Sequence, residues 1–132
     1  MSLLNESILV VDDEPSLSTL FNDFLTREGY DVVSFTNPLL ALEHFKNNSN
    51  GFSLIITDLR MPGLNGIEFA NKVREFNDQV KIFLTTAFDI QDIVDKPGYL
   101  NSNIEKVIQK PIRLHQLRAI IDQTMQIIYK EN

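Results

Sequence analysis

The sequence has no cysteine in its 132 residues. That excludes a disulfide framework, a thiolate zinc site and a thiol nucleophile, and it permits a reducing cytosol. Long apolar runs are also missing. The longest are about four or five residues, far short of a membrane span or the core of a signal peptide. Positive charge is scarce: 12 Lys and Arg stand against 18 Asp and Glu, a net charge of −6. An acidic domain of this kind is a poor candidate for direct nucleic-acid binding or for an anionic membrane surface. No repeat, low-complexity stretch or interdomain linker interrupts the chain. Its length fits one domain, residues 1–132 with a core of about 7–129, which is large enough to fold without a staple.

What is present is an alternation of two patterns. Ile8-Val11 is a short β-branched run. After Pro15, residues Leu17, Leu20, Phe21, Phe24 and Leu25 recur at helical spacing, and Gly29 suits the stop. Val32-Phe35 reads as a second strand. Asn37-Pro38 reads as an N-cap and first helical residue, with Leu42 and Phe45 inward. Leu54-Ile55-Ile56 is a third strand, followed by the loop "LRMPGLNG" and a helical pattern of Ile67, Ala70, Val73, Arg74 and Phe76. Lys81-Thr85 is a fourth strand. Asp89 suits the cap of a short helix with Ile90, Ile93 and Val94, which Pro97-Gly98 cuts off. Lys106-Val107-Ile108 is a weaker fifth strand. A last helix, about Leu114–Tyr129, turns Leu117, Ile120, Ile121, Thr124 and Ile128 inward. The order is βα five times. Continuous apolar strands joined by helices predict an α/β fold, a doubly wound five-stranded parallel sheet with helices on both faces.

In such sheets the functional crevice lies beyond the carboxyl ends of the strands. Polar groups interrupt the apolar pattern at that edge each time. Asp12, Asp13 and Glu14 follow the first strand, Asp58 the third, Thr85 and Thr86 the fourth, and Lys110 the fifth. Crowded carboxylates raise one another's pKa unless a cation neutralises them. For an all-oxygen site the natural cation is Mg²⁺ or Mn²⁺. Glu14 has an ordinary reason to begin a helix, where acids are favoured, and is the weakest member of the group. His44 and His115 lie in helical patterns away from this edge and read as surface residues. Arg113 and Arg118 read as a solvated helix face.

The blocks "ILVVDDEP", "LIITDLRMPGLNG", "IFLTTA" and "IQKP" closely resemble the receiver domain of two-component response regulators, over roughly Ser7 to Tyr129. The resemblance implies a flavodoxin-like, CheY-like fold in a cytoplasmic signalling protein. It makes Asp58 the phosphoacceptor, loaded from a phosphohistidine on a sensor histidine kinase or phosphotransfer protein. It assigns Mg²⁺ to Asp13, Asp58, the backbone carbonyl of Arg60 and, often through water, Asp12. Thr86 becomes the switch hydroxyl and Lys110 the phosphoryl partner, followed by a cis bond to Pro111. Such a domain assists its own phosphotransfer and dephosphorylation without being a turnover enzyme. It controls a downstream protein or an attached effector, and dimerisation on phosphorylation is one mode.

Two departures stand out. The aromatic that usually lies three residues before the lysine is replaced by Val107. Output then falls to backbone motion of Ala87-Asp92 or to Tyr99, whose ordinary role is packing or surface. Pro97-Gly98 also truncates the fourth helix and remodels the usual dimer face. Arg60 and Phe88 occupy positions that tune phosphoaspartate hydrolysis in the family. Other classes fit less well. A nucleotide or flavin module wants a Gly- or Ser/Thr-rich phosphate loop where this chain has Asp12-Asp13-Glu14. A haloacid-dehalogenase-like phosphatase wants a second Asp where Arg60 stands. A non-phosphorylated docking module on the same fold, or the N-terminal regulatory domain of a longer DNA-binding regulator, remains the alternative.

Overall fold

The computed structural model describes residues 6–131. Residues 1–5 and Asn132, the ends of the expected domain, lie outside the described residues. The elements run β1 (Ser7–Val11), α1 (Pro15–Arg27), β2 (Asp31–Phe35), α2 (Pro38–Lys46), β3 (Leu54–Asp58), α3 (Gly66–Arg74), β4 (Lys81–Thr86), α4 (Ile90–Val94), α5 (Tyr99–Ser102), β5 (Lys106–Gln109) and α6 (Leu114–Glu131). The five strands form one parallel sheet in the order β2-β1-β3-β4-β5. This is the doubly wound arrangement that the strand and helix patterns predict.

Alternation along β1 explains why the sheet is covered on both faces. Leu9 and Val11 point one way, into a core with Ile55, Ala41, Phe45, Phe69 and Val73 under α2 and α3. Ile8 and Val10 point the other way, against Phe21, Leu25, Leu117 and Ile121 of α1 and α6. Each such side chain contributes about 1.5–3 kcal/mol on burial, so β1 anchors both layers. A third cluster of Leu59, Ile67, Leu84 and Ile93 seats α4 against the edge, with Phe88, Tyr99 and Val107 packed on it.

The register brings the carboxyl ends level. Val11 pairs with Phe35 and Thr57, Asp58 with Thr85, and Thr86 with Gln109. The ladder continues one residue further on two strands: the Asp12 amide donates to the Phe35 carbonyl at 3.1 Å, and the Lys110 amide to the Thr86 carbonyl at 2.7 Å. Asp12, Asp58, Thr86 and Lys110 therefore share one edge by backbone pairing alone.

Several local expectations are corrected. Leu20 is 44% exposed, because the buried face of α1 runs through Ser18, Phe21 and Leu25. Phe76 is exposed because α3 ends at Arg74. That helix starts at Gly66 under a capping box between Asn65 and Glu68, and this register turns Phe69 inward. Ile90 and Val94 are exposed, leaving Ile93 as the buried anchor of α4. After Pro97-Gly98 the chain re-enters a helical turn, α5, which the sequence pattern missed. His44 is half-buried, its ring 5.4 Å from Phe35 and 5.9 Å from Phe52.

Gly66 is required by close packing. A Cβ there would lie 2.3 Å from the Asp58 carbonyl oxygen and 2.6 Å from Leu84 Cδ1. Bare backbone lets α3 begin directly beneath Asp58. Gly66→Ala is expected to cost about 1–3 kcal/mol in urea unfolding, the usual range for overpacking a tight core. An unchanged midpoint would show that α3 shifts freely.

Candidate functional site

Three carboxylates and one ammonium group meet at the sheet edge. Asp12 follows β1 and is 1% exposed; Asp58 ends β3 and is 8% exposed. Asp12, Asp13 and Asp58 each offer an oxygen within 4.8 Å of the others, a spread that one cation spans. Glu14 is outside this group. It sits at the N-cap of α1, where its amide donates to Asp12 Oδ1 at 2.9 Å and its side chain accepts from Ser16 Oγ at 3.1 Å.

Lys110 reaches in from the end of β5. Its Nζ lies 3.3 Å from Asp58 Oδ1 and 3.6 Å from Asp12 Oδ2. The Lys110-Pro111 bond is cis, as the resemblance implied. The Leu59 amide donates to Asp58 Oδ1 at 2.9 Å, and the Leu59 main chain is itself tied to the Thr85 carbonyl at 2.9 Å. Asp58 is thus held by its own strand, by the loop that follows it and by Lys110.

The electrostatics remain unbalanced. Burial pushes the Asp58 carboxyl above the usual carboxylate range, and the Asp12 charge adds to this; Lys110 and the Leu59 amide pull it back only in part. Burial likewise pushes Asp12 up, against the Glu14 amide and Lys110. Among the described residues, Asp12 Oδ2 is a buried oxygen without a hydrogen-bond partner. A buried carboxylate oxygen in that state is unfavourable. It marks the position where a hard divalent cation fits the donor set.

Thr86 is buried at the end of β4, and its Oγ1 accepts the Phe88 amide at 2.9 Å. Arg60 lines an open cavity of about 440 Å³ together with Asp13, Met61, Pro62, Asn65 and Lys96. Its guanidinium carbon stands 5.3 Å from the centre of the Phe88 ring. Tyr99 begins α5 and packs near Val107 around the Leu59-Ile67-Leu84-Ile93 cluster. His115, Arg113 and Arg118 lie outside the crevice, as expected. Arg118 pairs with Glu28 at 2.9 Å.

Sequence reasoning missed three contributors. Lys96, between α4 and α5, lines the same cavity as Asp13. Arg74 and Asn71 of α3 hold the remodelled segment. Arg74 donates to the carbonyls of Ser102, Val80 and Asn103 at 2.8, 2.7 and 2.9 Å, and Asn71 donates to that of Gly98 at 3.1 Å. The only signal available beforehand was Pro97-Gly98, which marked a break without saying where the chain went next.

With this geometry in place, comparison with known proteins is specific. The chain is 25% identical over 119 residues to sporulation initiation phosphotransferase F of Bacillus subtilis (strain 168), covering 90% of this chain and 93% of that protein. It is 34% identical over 116 residues to the alkaline phosphatase synthesis transcriptional regulatory protein PhoP of the same organism, covering 88% of this chain and 47% of that protein. The chain thus spans nearly all of one relative and about half of the other. The solved structure of the response regulator TrrA from Thermotoga maritima, in complex with Mg²⁺-BeF, aligns with a TM-score of 0.76 at 29% identity, covering 90% of this chain and 98% of that one. A CheY-like receiver domain protein from Methanospirillum hungatei shares the fold, with a TM-score of 0.87 at 24% identity, covering 98% of this chain and all of the other. Residues 8–122 match the response regulator receiver domain model, and the chain belongs to that family.

Proposed function

We propose that this receiver domain accepts a phosphoryl group on Asp58 from a phosphohistidine of a sensor histidine kinase or phosphotransfer protein, in a Mg²⁺-dependent reaction, and that the modified domain controls an output partner. The observation that carries this reading is the placement of Lys110 Nζ 3.3 Å from Asp58 Oδ1 within a cluster that one cation spans. In the transfer, an Asp58 carboxylate oxygen forms a bond to phosphorus as the phosphorus–nitrogen bond breaks. The electron pair returns to the imidazole. Asp58 and the incoming phosphoryl group are both anionic, so the barrier is mainly electrostatic. Lys110, beside Asp58 Oδ1, would pair with the phosphoryl oxygens. Asp12, Asp13, Asp58 and the Arg60 carbonyl would hold Mg²⁺, which supplies further positive charge to those oxygens when bound. The product is an acyl phosphate that water hydrolyses, so the domain is a signalling phosphoacceptor rather than a turnover enzyme.

Output follows from a change of contacts. A phosphoryl group on Asp58 offers Thr86 a new acceptor. Turning toward it takes Thr86 Oγ1 from the Phe88 amide, which links the modification to the Ala87-Asp92 loop. One relative matched nearly whole and another matched along just under half of its length support control of a separate partner or an attached effector alike. Among the described residues no helix is long and apolar enough to cross a membrane.

Three outcomes test this. Acetyl phosphate with Mg²⁺ is expected to add one phosphoryl group by intact-protein mass spectrometry, and Asp58→Asn to abolish it; an unmodified wild type refutes the proposal. The second concerns stability. Because the folded carboxyls of Asp12 and Asp58 sit above their ordinary value, the folded state binds more protons than the unfolded one. Their contribution therefore falls as pH rises through that window. Metal-free Asp58→Asn is expected to melt about 2–6 °C above the wild type at neutral pH. The gap should narrow as pH is lowered, or as Mg²⁺ is added. A variant that melts lower would contradict the assigned charge crowding. Third, Arg60→Ala and Phe88→Ala are each expected to change phosphoaspartate decay about 3-fold, which is about 0.6 kcal/mol in barrier; decay identical to the wild type would remove both from the site.

A further inference from the structure

Two cations stand near the ring of Phe88. Arg60 lies 5.3 Å from the ring centre and Lys96 Nζ lies 5.7 Å from it. Both cations also line the cavity of about 440 Å³ that contains Asp13. Among the described residues neither has a carboxylate within ion-pair distance. Two bare cations, held at the mouth of an acidic crevice yet unpaired with its acids, call for an anion.

The backbone puts Lys96 there. Its amide donates to the Ile93 carbonyl at 3.0 Å, closing the last turn of α4. Pro97 cannot continue the helix, and Gly98 takes a positive φ of 84°. A Cβ at Gly98 would meet Asn71 Nδ2 at 2.8 Å, and that same Asn71 nitrogen holds the Gly98 carbonyl. The break is therefore pinned to α3, and Lys96 is fixed at its start. Ile93 is fully buried beneath it.

The charge balance identifies the anion. Asp12, Asp13, Asp58 and Lys110 together leave two negative charges. A divalent cation in the cluster brings that to zero. Arg60 and Lys96 then leave two positive charges at the entrance, the complement of a phosphoryl dianion.

Building on the proposed phosphoacceptor role, we propose that Lys96, with Arg60, forms an anion-binding subsite over Phe88 that captures the phosphoryl group of the incoming donor and positions it for Asp58. Lys96 acts before the bond to Asp58 forms. Its contribution is to the rate of loading and depends on ionic strength.

The test uses the whole protein, with acetyl phosphate and Mg²⁺ as the probe. Labelling is followed by intact-protein mass at subsaturating donor. At low ionic strength Lys96→Ala is expected to label about 3–5-fold more slowly than wild type and Lys96→Glu about 10-fold or more. Lys96→Arg should restore the rate, and 0.5 M salt, where the screening length is about 4 Å, should compress the differences. Melting temperatures of the variants report folding separately. A wild type that labels beside a Lys96→Ala variant labelling equally fast at low salt overturns the subsite and leaves the phosphoacceptor role standing. A slow Lys96→Ala that neither Arg nor salt affects also overturns it, since that pattern belongs to packing against Phe88. A wild type that does not label removes both.

Discussion

Mutual repulsion of carboxylates is the constraint around which this domain is organised. Asp12 and Asp58 are almost fully buried, and Asp13 offers an oxygen within 4.8 Å of theirs. Asp12 and Asp58 are both held above their ordinary ionisation range chiefly by burial, and the Asp12 charge adds to that at Asp58. Such a cluster is unfavourable to folding on its own account. It persists because the sheet beneath it is packed on both faces and because Lys110 offsets part of the charge. The residual imbalance leaves a donor set that a hard divalent cation fits.

The supports of the crevice are mostly main chain. Parallel register levels the ends of β1, β3, β4 and β5, and the amides of Asp12 and Lys110 extend the ladder past the strands. Gly66 lets α3 start against the Asp58 carbonyl, which fixes the loop carrying Arg60. Side chains then need little freedom to reach their positions. Placement by rigid elements is what lets one lysine face two carboxylates at once.

Beyond β4 the chain breaks where Pro97-Gly98 interrupts the helical pattern. A five-residue α4 gives way to a second short helix, α5. Arg74 ties this segment down by donating to three carbonyls at two places along the chain, Val80 and the adjacent pair Ser102 and Asn103. Burial lowers the pKa of its guanidinium, yet a guanidinium stays charged in proteins. Val107 packs with Phe88 and Tyr99 against the cluster of Leu59, Ile67, Leu84 and Ile93. The segment between Thr86 and Lys110 is thus where the local pattern of the chain said least about its path.

Most of the fold was legible in the chain. Short β-branched runs, Pro15 and Pro38 at helix starts and polar residues at each strand end reflect local preferences and a periodicity of burial, which linear order preserves. Asp12, Asp13, Asp58, Thr86 and Lys110 could be singled out because charge at the end of a buried strand contradicts its surroundings. What could not be read was set by contacts between distant residues. Leu20 and Phe76 look inward by spacing, yet helix rotation and a helix end expose them. His44 looks like a surface residue, yet two rings flank it. Lys96 carries no local mark at all. Its place over Phe88 depends on a turn pinned by Asn71, 25 positions earlier in the chain. Pattern fixes which residues seek burial or water; which charges finally face one another is settled by packing and by the angles at which helices dock.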